Sequence, residues 1–455
     1  MIFPMYIDGK WFEGEGRQMQ DVISPGSGEV LGRIPLGTPE DADAALQAAK
    51  KAAPALAAMT VFERAEICYR IANKIDENQE ELAKLLTAEH GKPYHSEALG
   101  EVAACALAFR DAAEQIKWMD GKVVALRDKD ARCLVTRRPK GIFAVITPWN
   151  FPLGTACQYY LAAGIAVGDP MVWNPATTTA AVASALMKCF EGVGLPAGAV
   201  NLVIGKGSVV GDALSAHPLT AGIGFTGSTV TGNIICERAK CKHISMELGG
   251  DGPCIVLKDA DLDVAAQGLM NGSFLNAGQV CTSTERVLVD DAIADALVAK
   301  ILEKMQTQYQ LGDPFDEKTT MGPMHLESQI EIVESHIKQA VEKGAKVVAG
   351  GKRREGMPTD RYFEPTVVDH VPVDCMLHTD ETFGPVLPLV RFKDESEIPG
   401  LVDMSGYRLF LRHLYQGCKQ GAAHGGAIQF RRNKHQRRFQ LLGPDDSGRR
   451  RWRHP

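Results

Sequence analysis

From Gly141 to about residue 390, short apolar runs alternate with Ala- and Leu-rich stretches of helical period, and this alternation restricts the chain to a parallel sheet with helices on both faces. The runs fall at 142–146, 171–173, 200–204 and 222–225, with helical stretches such as 178–192 between them. A second α/β block follows over about 254–390, with strands expected at 254–257, 286–289 and 346–349. Ahead of both, 38–120 has helical period. Thr38 and Pro39 followed by Glu40, Asp41 and Asp43 mark a helix start, and further helices are expected over 61–89 and 95–119. The stretch 133–139 changes to strand period and resembles half of a hairpin. With 455 residues the chain exceeds what one core supports, so two or three domains are expected.

Composition narrows the class. A chain 45% hydrophobic and 23% charged belongs to water-soluble globular proteins, and no run approaches the roughly 18 apolar residues that span a bilayer. The N-terminus lacks the basic and apolar segments of a secretion signal, so a cytoplasmic protein with no membrane partner is expected. Its 11 cysteines form no paired CxxC array; they should be reduced thiols, and no metal site is expected. The net charge of −6 hides an asymmetry: residues 398–455 hold 12 Lys and Arg against 3 Asp and Glu. Such a tail suits nucleic acid or an acidic membrane surface. The sequence around it argues against both.

Four segments carry chemistry. Cys281 follows Gly278-Gln279-Val280 at the end of a helical run, where exposure and nearby backbone N–H groups activate a thiol and stabilise an oxyanion; the bland alternative is a buried cysteine. Glu247 lies in Met246-Glu247-Leu248-Gly249-Gly250. A carboxylate in an apolar segment suits a general base, against the alternative of a surface residue beside a turn. Thr147-Pro148-Trp149-Asn150-Phe151-Pro152 fixes a rigid loop after a strand, at the sheet edge where α/β proteins bind ligands; the Asn150 amide can there donate to an oxyanion. Two loops, one through Lys206-Gly207-Ser208 and one through Thr226-Gly227-Ser228-Thr229, stand between strand and helix as phosphate sites do, though either alone is a common turn.

Together these segments resemble the aldehyde dehydrogenase superfamily, from about residue 5 to 397. Pro148-Trp149-Asn150-Phe151-Pro152, Phe225-Thr226-Gly227-Ser228, Glu247-Leu248-Gly249-Gly250 and Gly278-Gln279-Val280-Cys281 occur in family order, with 34 residues from Glu247 to Cys281. Gly312-Asp313-Pro314, Met321-Gly322-Pro323 and Glu381-Thr382-Phe383-Gly384-Pro385 agree. The resemblance implies an α/β fold with a Rossmann-like nucleotide-binding domain (1–121 and 141–250), a small β oligomerisation element (122–140) and an α/β catalytic domain (251–397). It implies NAD as cofactor, with NADP possible, a small aldehyde as substrate and a homo-oligomer. Cys281 would be the nucleophile, Asn150 the oxyanion donor and Glu247 the base. Ile146, Thr147, Pro148, Trp149, Asn174, Gly207, Gly227, Ser228, Glu381 and Phe383 would hold the cofactor. Two other readings share these residues: an inactive relative that binds nucleotide or a partner, and a cysteine acyl hydrolase, since a thiol and a base also make an esterase.

The chain departs from the family in two places. Many relatives read Trp-Lys-Pro-Ser-Glu where this one has Trp173-Asn174-Pro175-Ala176-Thr177. Asn174 can donate a hydrogen bond but lacks the charge that attracts a 2′-phosphate, while Thr177 removes a carboxylate that would repel it. These changes pull opposite ways. Thr282-Ser283-Thr284-Glu285-Arg286 resembles forms acting on semialdehydes or lactaldehyde-like substrates. The second departure begins near Ser396. Codons for residues 413–420, read one nucleotide later, permit the family's Ile-Phe-Thr-Lys-Asp-Val-Ser-Lys, so a frameshift near 396–400 is expected, with a nucleic-acid tail as its rival. A tail out of frame from about 398 should be irregular and exposed, leave the catalytic domain incomplete and bare an edge strand at 133–137.

Overall fold

The computed structural model describes residues 1–407, Leu409 and the backbone of Arg412–Leu414. Most of the basic tail lies outside the described residues. The chain divides into two compact units, one of Met1–Leu248 with Asp313–His325, the other of Gly249–Gly312 with the residues from Leu326 on. Asp313–His325 belongs by sequence to the second block but packs with the first. Tyr94 N donates to Pro314 O at 2.8 Å, and a Cβ at Gly322 would sit 2.0 Å from Gly91 O.

The first unit is built on a seven-stranded sheet. Its strands are β1 (Met5–Ile7), β2 (Lys10–Phe12), β7 (Ile142–Thr147), β8 (Met171–Pro175), β9 (Val200–Leu202), β10 (Thr220–Thr226) and β11 (His243–Glu247), in the order β11-β10-β7-β8-β9-β1-β2. The five from β7 to β11 are mutually parallel. β1 turns antiparallel onto β9 and forms a hairpin with β2. Parallel strands buried on both faces need continuous apolar runs, and β7 and β8 are buried almost throughout. Two short hairpins lie outside this sheet: β3 (Gln18–Ile23) with β4 (Val30–Leu36), and β5 (Lys122–Val124) with β6 (Cys133–Val135). Val123 and Leu134 face each other across the latter hairpin, 75% and 68% exposed.

The helices ahead of β5 begin where capping chemistry allows. Pro39–Ala58 starts after Thr38 and Val61–Glu77 after Thr60, each with a capping box closed by Asp41 or Glu63. The single helix expected over 61–89 is two, because Asn78 ends Val61–Glu77 and starts Gln79–His90. Leu99–Ile116 follows a π-helical turn at Tyr94–Ala98.

A six-stranded sheet carries the second unit: β12 (Pro253–Val256), β13 (Arg286–Asp290), β14 (Lys346–Ala349), β15 (Thr366–Asp369), β16 (Val386–Phe392) and β17 (Arg412–Leu414), ordered β14-β15-β16-β13-β12-β17. All neighbours are parallel except β14 and β15. β15 and β16 were not expected from the sequence.

The expectation of irregular chain from 398 fails over two segments. Asp394 and Glu397 form a capping box that leads into a helix at Ile398–Asp403. The buried Arg286 guanidinium donates to Leu401 O at 2.9 Å and Val402 O at 3.0 Å, satisfying carbonyls near that helix end. β17 then pairs with β12. Cys133–Val135 pairs with β5 as the expected half of a hairpin, and among the described residues no strand covers its other edge.

Candidate active site

In the first unit the expected residues converge on the carboxyl edge of the parallel strands. Ile146 and Thr147 end β7, Asn174 lies near the end of β8, Gly227 and Ser228 follow β10, and Glu247 ends β11. Gly207 opens a π-helical turn after β9. This is the edge at which α/β sheets take ligands. Ser228 is exposed and its hydroxyl caps Thr229–Ala239 by accepting from Thr231 N at 3.2 Å, so an eleven-residue helix presents its N-terminus there. Gly227 N donates to Glu247 O, tying the two loops. Glu247 is half-buried, and burial raises its carboxyl above the ordinary value.

Asn150 is held from below by a buried ion pair. Lys92 and Glu101 have side chains 0% and 3% exposed and meet at 2.5 Å. Lys92 Nζ donates to Asn150 O at 3.0 Å and lies 4.0 Å over the Phe151 ring. Glu101 Oε1 accepts from Leu153 N and Gly154 N at 3.0 and 2.9 Å. The loop after β7 is therefore held at the Asn150 carbonyl and at the Leu153 and Gly154 amides. Beside it, Trp149 stacks on His325 and His325 on His90, with centroids 5.1 and 4.9 Å apart. Burial holds His90 well below the usual histidine range, which keeps it neutral in this pile.

Cys281 is placed by backbone strain in the second unit. Asn276, Ala277 and Gly278 are consecutive left-handed residues with φ of 52°, 54° and 75°. Two non-glycine residues in that region cost of order 1–3 kcal/mol each, and they persist where the surroundings over-determine them. Here Gln279 Nε2 donates to Asn276 O at 2.8 Å and Asn276 Nδ2 to Gln279 O at 3.2 Å. The turn delivers a half-buried Cys281, and Ser283 N closes back on Val280 O at 2.9 Å. A Cβ at Gly278 would stand 1.9 Å from Gly384 O, and one at Gly250 would stand 2.4 Å from Cys281 O. The nucleophile loop is thus in close contact with the Glu381–Pro385 loop and with the end of the Glu247–Gly250 motif. Glu381 Oε1 accepts from Gly250 N at 2.9 Å, and burial pushes its carboxyl up to about 7.

Asn174 differs from expectation. Both N–H bonds of its amide go to backbone carbonyls, those of Val203 and Gly205, each at 3.0 Å. With both N–H groups so engaged, Asn174 does not donate to a cofactor here as expected; Oδ1, near Gly211, is the atom it has to offer. Sequence reasoning missed Lys92, Glu101 and Glu285. Glu285 is 3% exposed, and its oxygens accept from Ser283 Oγ, Thr382 N and Phe383 N.

Comparisons with known proteins agree with this arrangement. The model of the aldehyde dehydrogenase family matches residues 11–410. The NADP(+) succinate-semialdehyde dehydrogenase of Escherichia coli is 39% identical over 396 residues, 86% of this chain and 81% of that protein. A glutarate-semialdehyde dehydrogenase of Pseudomonas putida is also 39% identical, with the same coverage. Among solved structures, an E. coli NADP-dependent enzyme superposes with TM-score 0.88 at 37% identity, over 92% of this chain and 86% of that one. Lactaldehyde dehydrogenase of E. coli gives 0.87 at 35% identity, over 91% and 87%.

Proposed function

Since this chain belongs to the aldehyde dehydrogenase family, we propose that it oxidises a small semialdehyde or hydroxyaldehyde to the acid with NAD(P)+, through a thioester on Cys281. The observation that carries the reading is the strained turn that leaves Cys281 half-buried beside Gly250 and the Glu381 loop. The Cys281 thiolate adds to the carbonyl carbon, and the C–S bond leaves an oxyanion for the Asn150 amide and the Cys281 N–H. NAD(P)+ when bound would supply the hydride acceptor needed to oxidise this adduct to the thioester. Glu247 then takes a proton from water; the hydroxide attacks the acyl carbon, the C–S bond breaks and the acid leaves. Burial makes the Glu247 carboxylate a stronger base than an exposed one, which suits that role.

The residues fit the cofactor. The exposed N-terminus of Thr229–Ala239 favours a phosphate, and the loops ending β7, β8 and β10 form the edge that would carry the nucleotide. Ile146, Thr147, Pro148, Trp149, Gly207, Gly227 and Ser228 line that side; Glu381 and Phe383 would hold the nicotinamide ribose. NAD is the expected cofactor and NADP the alternative. The proposed setting is cytoplasmic, and the exposed Val123 and Leu134 support a homo-oligomer through the β5–β6 hairpin.

Absorbance at 340 nm with succinate semialdehyde, glutarate semialdehyde and lactaldehyde, each with NAD+ and NADP+, tests the reaction. Cys281→Ala should abolish both dehydrogenase activity and hydrolysis of p-nitrophenyl acetate, and Glu247→Gln should chiefly slow acyl release. Hydride transfer by Cys281→Ala would refute the assignment. Ester hydrolysis without reduction of either dinucleotide would instead support the hydrolase reading. The reading frame is proposed to shift near codons 396–400; restoring it should raise turnover and yield a compact oligomer. Nucleotide sequence from independent clones that keeps the present frame would end that idea.

A further inference from the structure

We propose that Glu285 is a positioning residue that clamps the Thr382–Phe383 backbone to the nucleophile loop and so sets affinity for the cofactor. The proposal rests on the reading of Glu381 and Phe383 as cofactor contacts. Glu285 Oε2 accepts from Thr382 N at 3.0 Å, and Phe383 N lies 3.3 Å from both oxygens. Oε1 accepts from Ser283 Oγ at 2.6 Å, two residues after Cys281. One buried carboxyl therefore joins two loops whose backbones touch again at Gly278 and Gly384.

The clamped segment needs such a constraint. Phe383 has φ of 52°, a left-handed conformation that an aromatic side chain does not hold unaided. Thr382 is gripped from the helix Glu327–Glu342 as well: Gln329 Nε2 donates to Thr382 O at 2.9 Å, and His336 Nδ1 meets Thr382 Oγ1 at 3.1 Å. These hold Thr382, while Glu285 reaches on to the Phe383 amide. Its oxygens are engaged by Ser283 and backbone N–H groups, so it serves through position and not by proton transfer to substrate. Burial and the nearby Glu381 carboxyl also raise its pKa well above the ordinary value.

Reach, not charge, is the property that the clamp requires. Glu285→Gln keeps the reach: its amide oxygen can accept from Thr382 and Phe383, and its NH2 can donate to Ser283 Oγ. Glu285→Asp keeps the charge but is one methylene short. Fluorescence titration with NAD+ and NADP+ should show affinity weakened about tenfold in Glu285→Asp and Glu285→Ala, the worth of one or two hydrogen bonds, and near wild type in Glu285→Gln. The KM for aldehyde and the rate of Cys281 alkylation by iodoacetamide should stay within about threefold in all three. That is a split which general unfolding would not produce. Amide exchange of the peptide spanning 381–385 reads the clamp without cofactor: faster in Asp and Ala, unchanged in Gln. If Gln weakens the cofactor as much as Asp, or if exchange is equal in all variants, the clamp is wrong. Should Ala fail to fold, the Asp and Gln pair still decides. A wild type that binds neither dinucleotide would overturn the functional reading alone, with exchange still judging the clamp.

Discussion

Glu101 in the first unit and Glu285 in the second perform one task, accepting consecutive backbone N–H groups to fix a loop, but in opposite electrostatic company. Glu101 takes Leu153 N and Gly154 N with the Lys92 ammonium at 2.5 Å, both side chains almost wholly excluded from water. Glu285 takes Thr382 N and Phe383 N with a hydroxyl as its other partner and with Glu381 and Asp251 as acidic neighbours. A buried charge is tolerable when paired and costly when it is not, so the two carboxyls should respond differently to loss of a partner. In the first unit charge pairing carries the loop. The second relies on hydrogen bonds and tight backbone contact.

Breaking the ion pair should have the largest effect. Glu101→Ala leaves Lys92 buried without its carboxylate, and removal of one member of a buried pair costs about 3–5 kcal/mol. That is a large part of a typical stability of roughly 5–15 kcal/mol. Urea unfolding should show a lower midpoint, and soluble yield should fall. The double substitution Lys92→Met with Glu101→Leu should recover part of the loss, since no charge is then stranded, though Leu153 and Gly154 lose their acceptor. If the single variant unfolds at the wild-type midpoint, the contrast between the two carboxyls disappears.

Gly278→Ala probes the second unit's dependence on close approach. The added methyl group would stand 1.9 Å from Gly384 O, in a backbone conformation with φ of 75°. Something must move, and what moves is the turn carrying Cys281 or the Glu381–Pro385 loop. Displacement of about 1 Å can cost on the order of 100-fold in rate, so kcat/KM should fall by about that factor. Stability should change less than for Glu101→Ala, because no charge is stranded. Activity within twofold of wild type would mean that the loops are looser than the geometry requires.

These supports were the part of the molecule least legible in the sequence. Strands β7, β8, β9 and β10 announced themselves as apolar runs, and the loops after them contain the residues that periodicity and motif placed there. β11 was missed because His243-Ile244-Ser245-Met246-Glu247 has no continuous apolar run. Lys92 and Glu101 stood in helical surroundings as ordinary polar residues, and the backbone they hold comes about fifty positions later in the chain. Glu285 stands in the polar run Thr282-Ser283-Thr284-Glu285, which points to no partner, whereas its bonds to Thr382 and Phe383 span nearly a hundred residues. Local pattern cannot show a partner so distant. The helix at Ile398–Asp403, by contrast, was signalled by Asp394 and Glu397 in capping-box spacing, a cue that the change in composition near 396 obscured.

The smallest expected effect concerns pH and sharpens the account of the second unit. Glu381 is raised from 4.5 to about 7, chiefly by burial and further by Asp251, against the lowering effect of the Gly250 N–H. The folded protein therefore binds this proton more tightly than the unfolded chain does. Its contribution to stability is fully present below the unfolded value and is lost as pH rises through about 7. Glu381→Gln has no such proton to lose and can still accept from Gly250 N. The melting temperature of the variant should thus gain on wild type between pH 5 and pH 8.5, by on the order of a few degrees. The gain should build up between about pH 5 and pH 7 and level off above about pH 8. A difference that stays constant across this range would show that Glu381 ionises as an exposed carboxylate, and the low-dielectric setting assigned to the second unit's acids would be wrong.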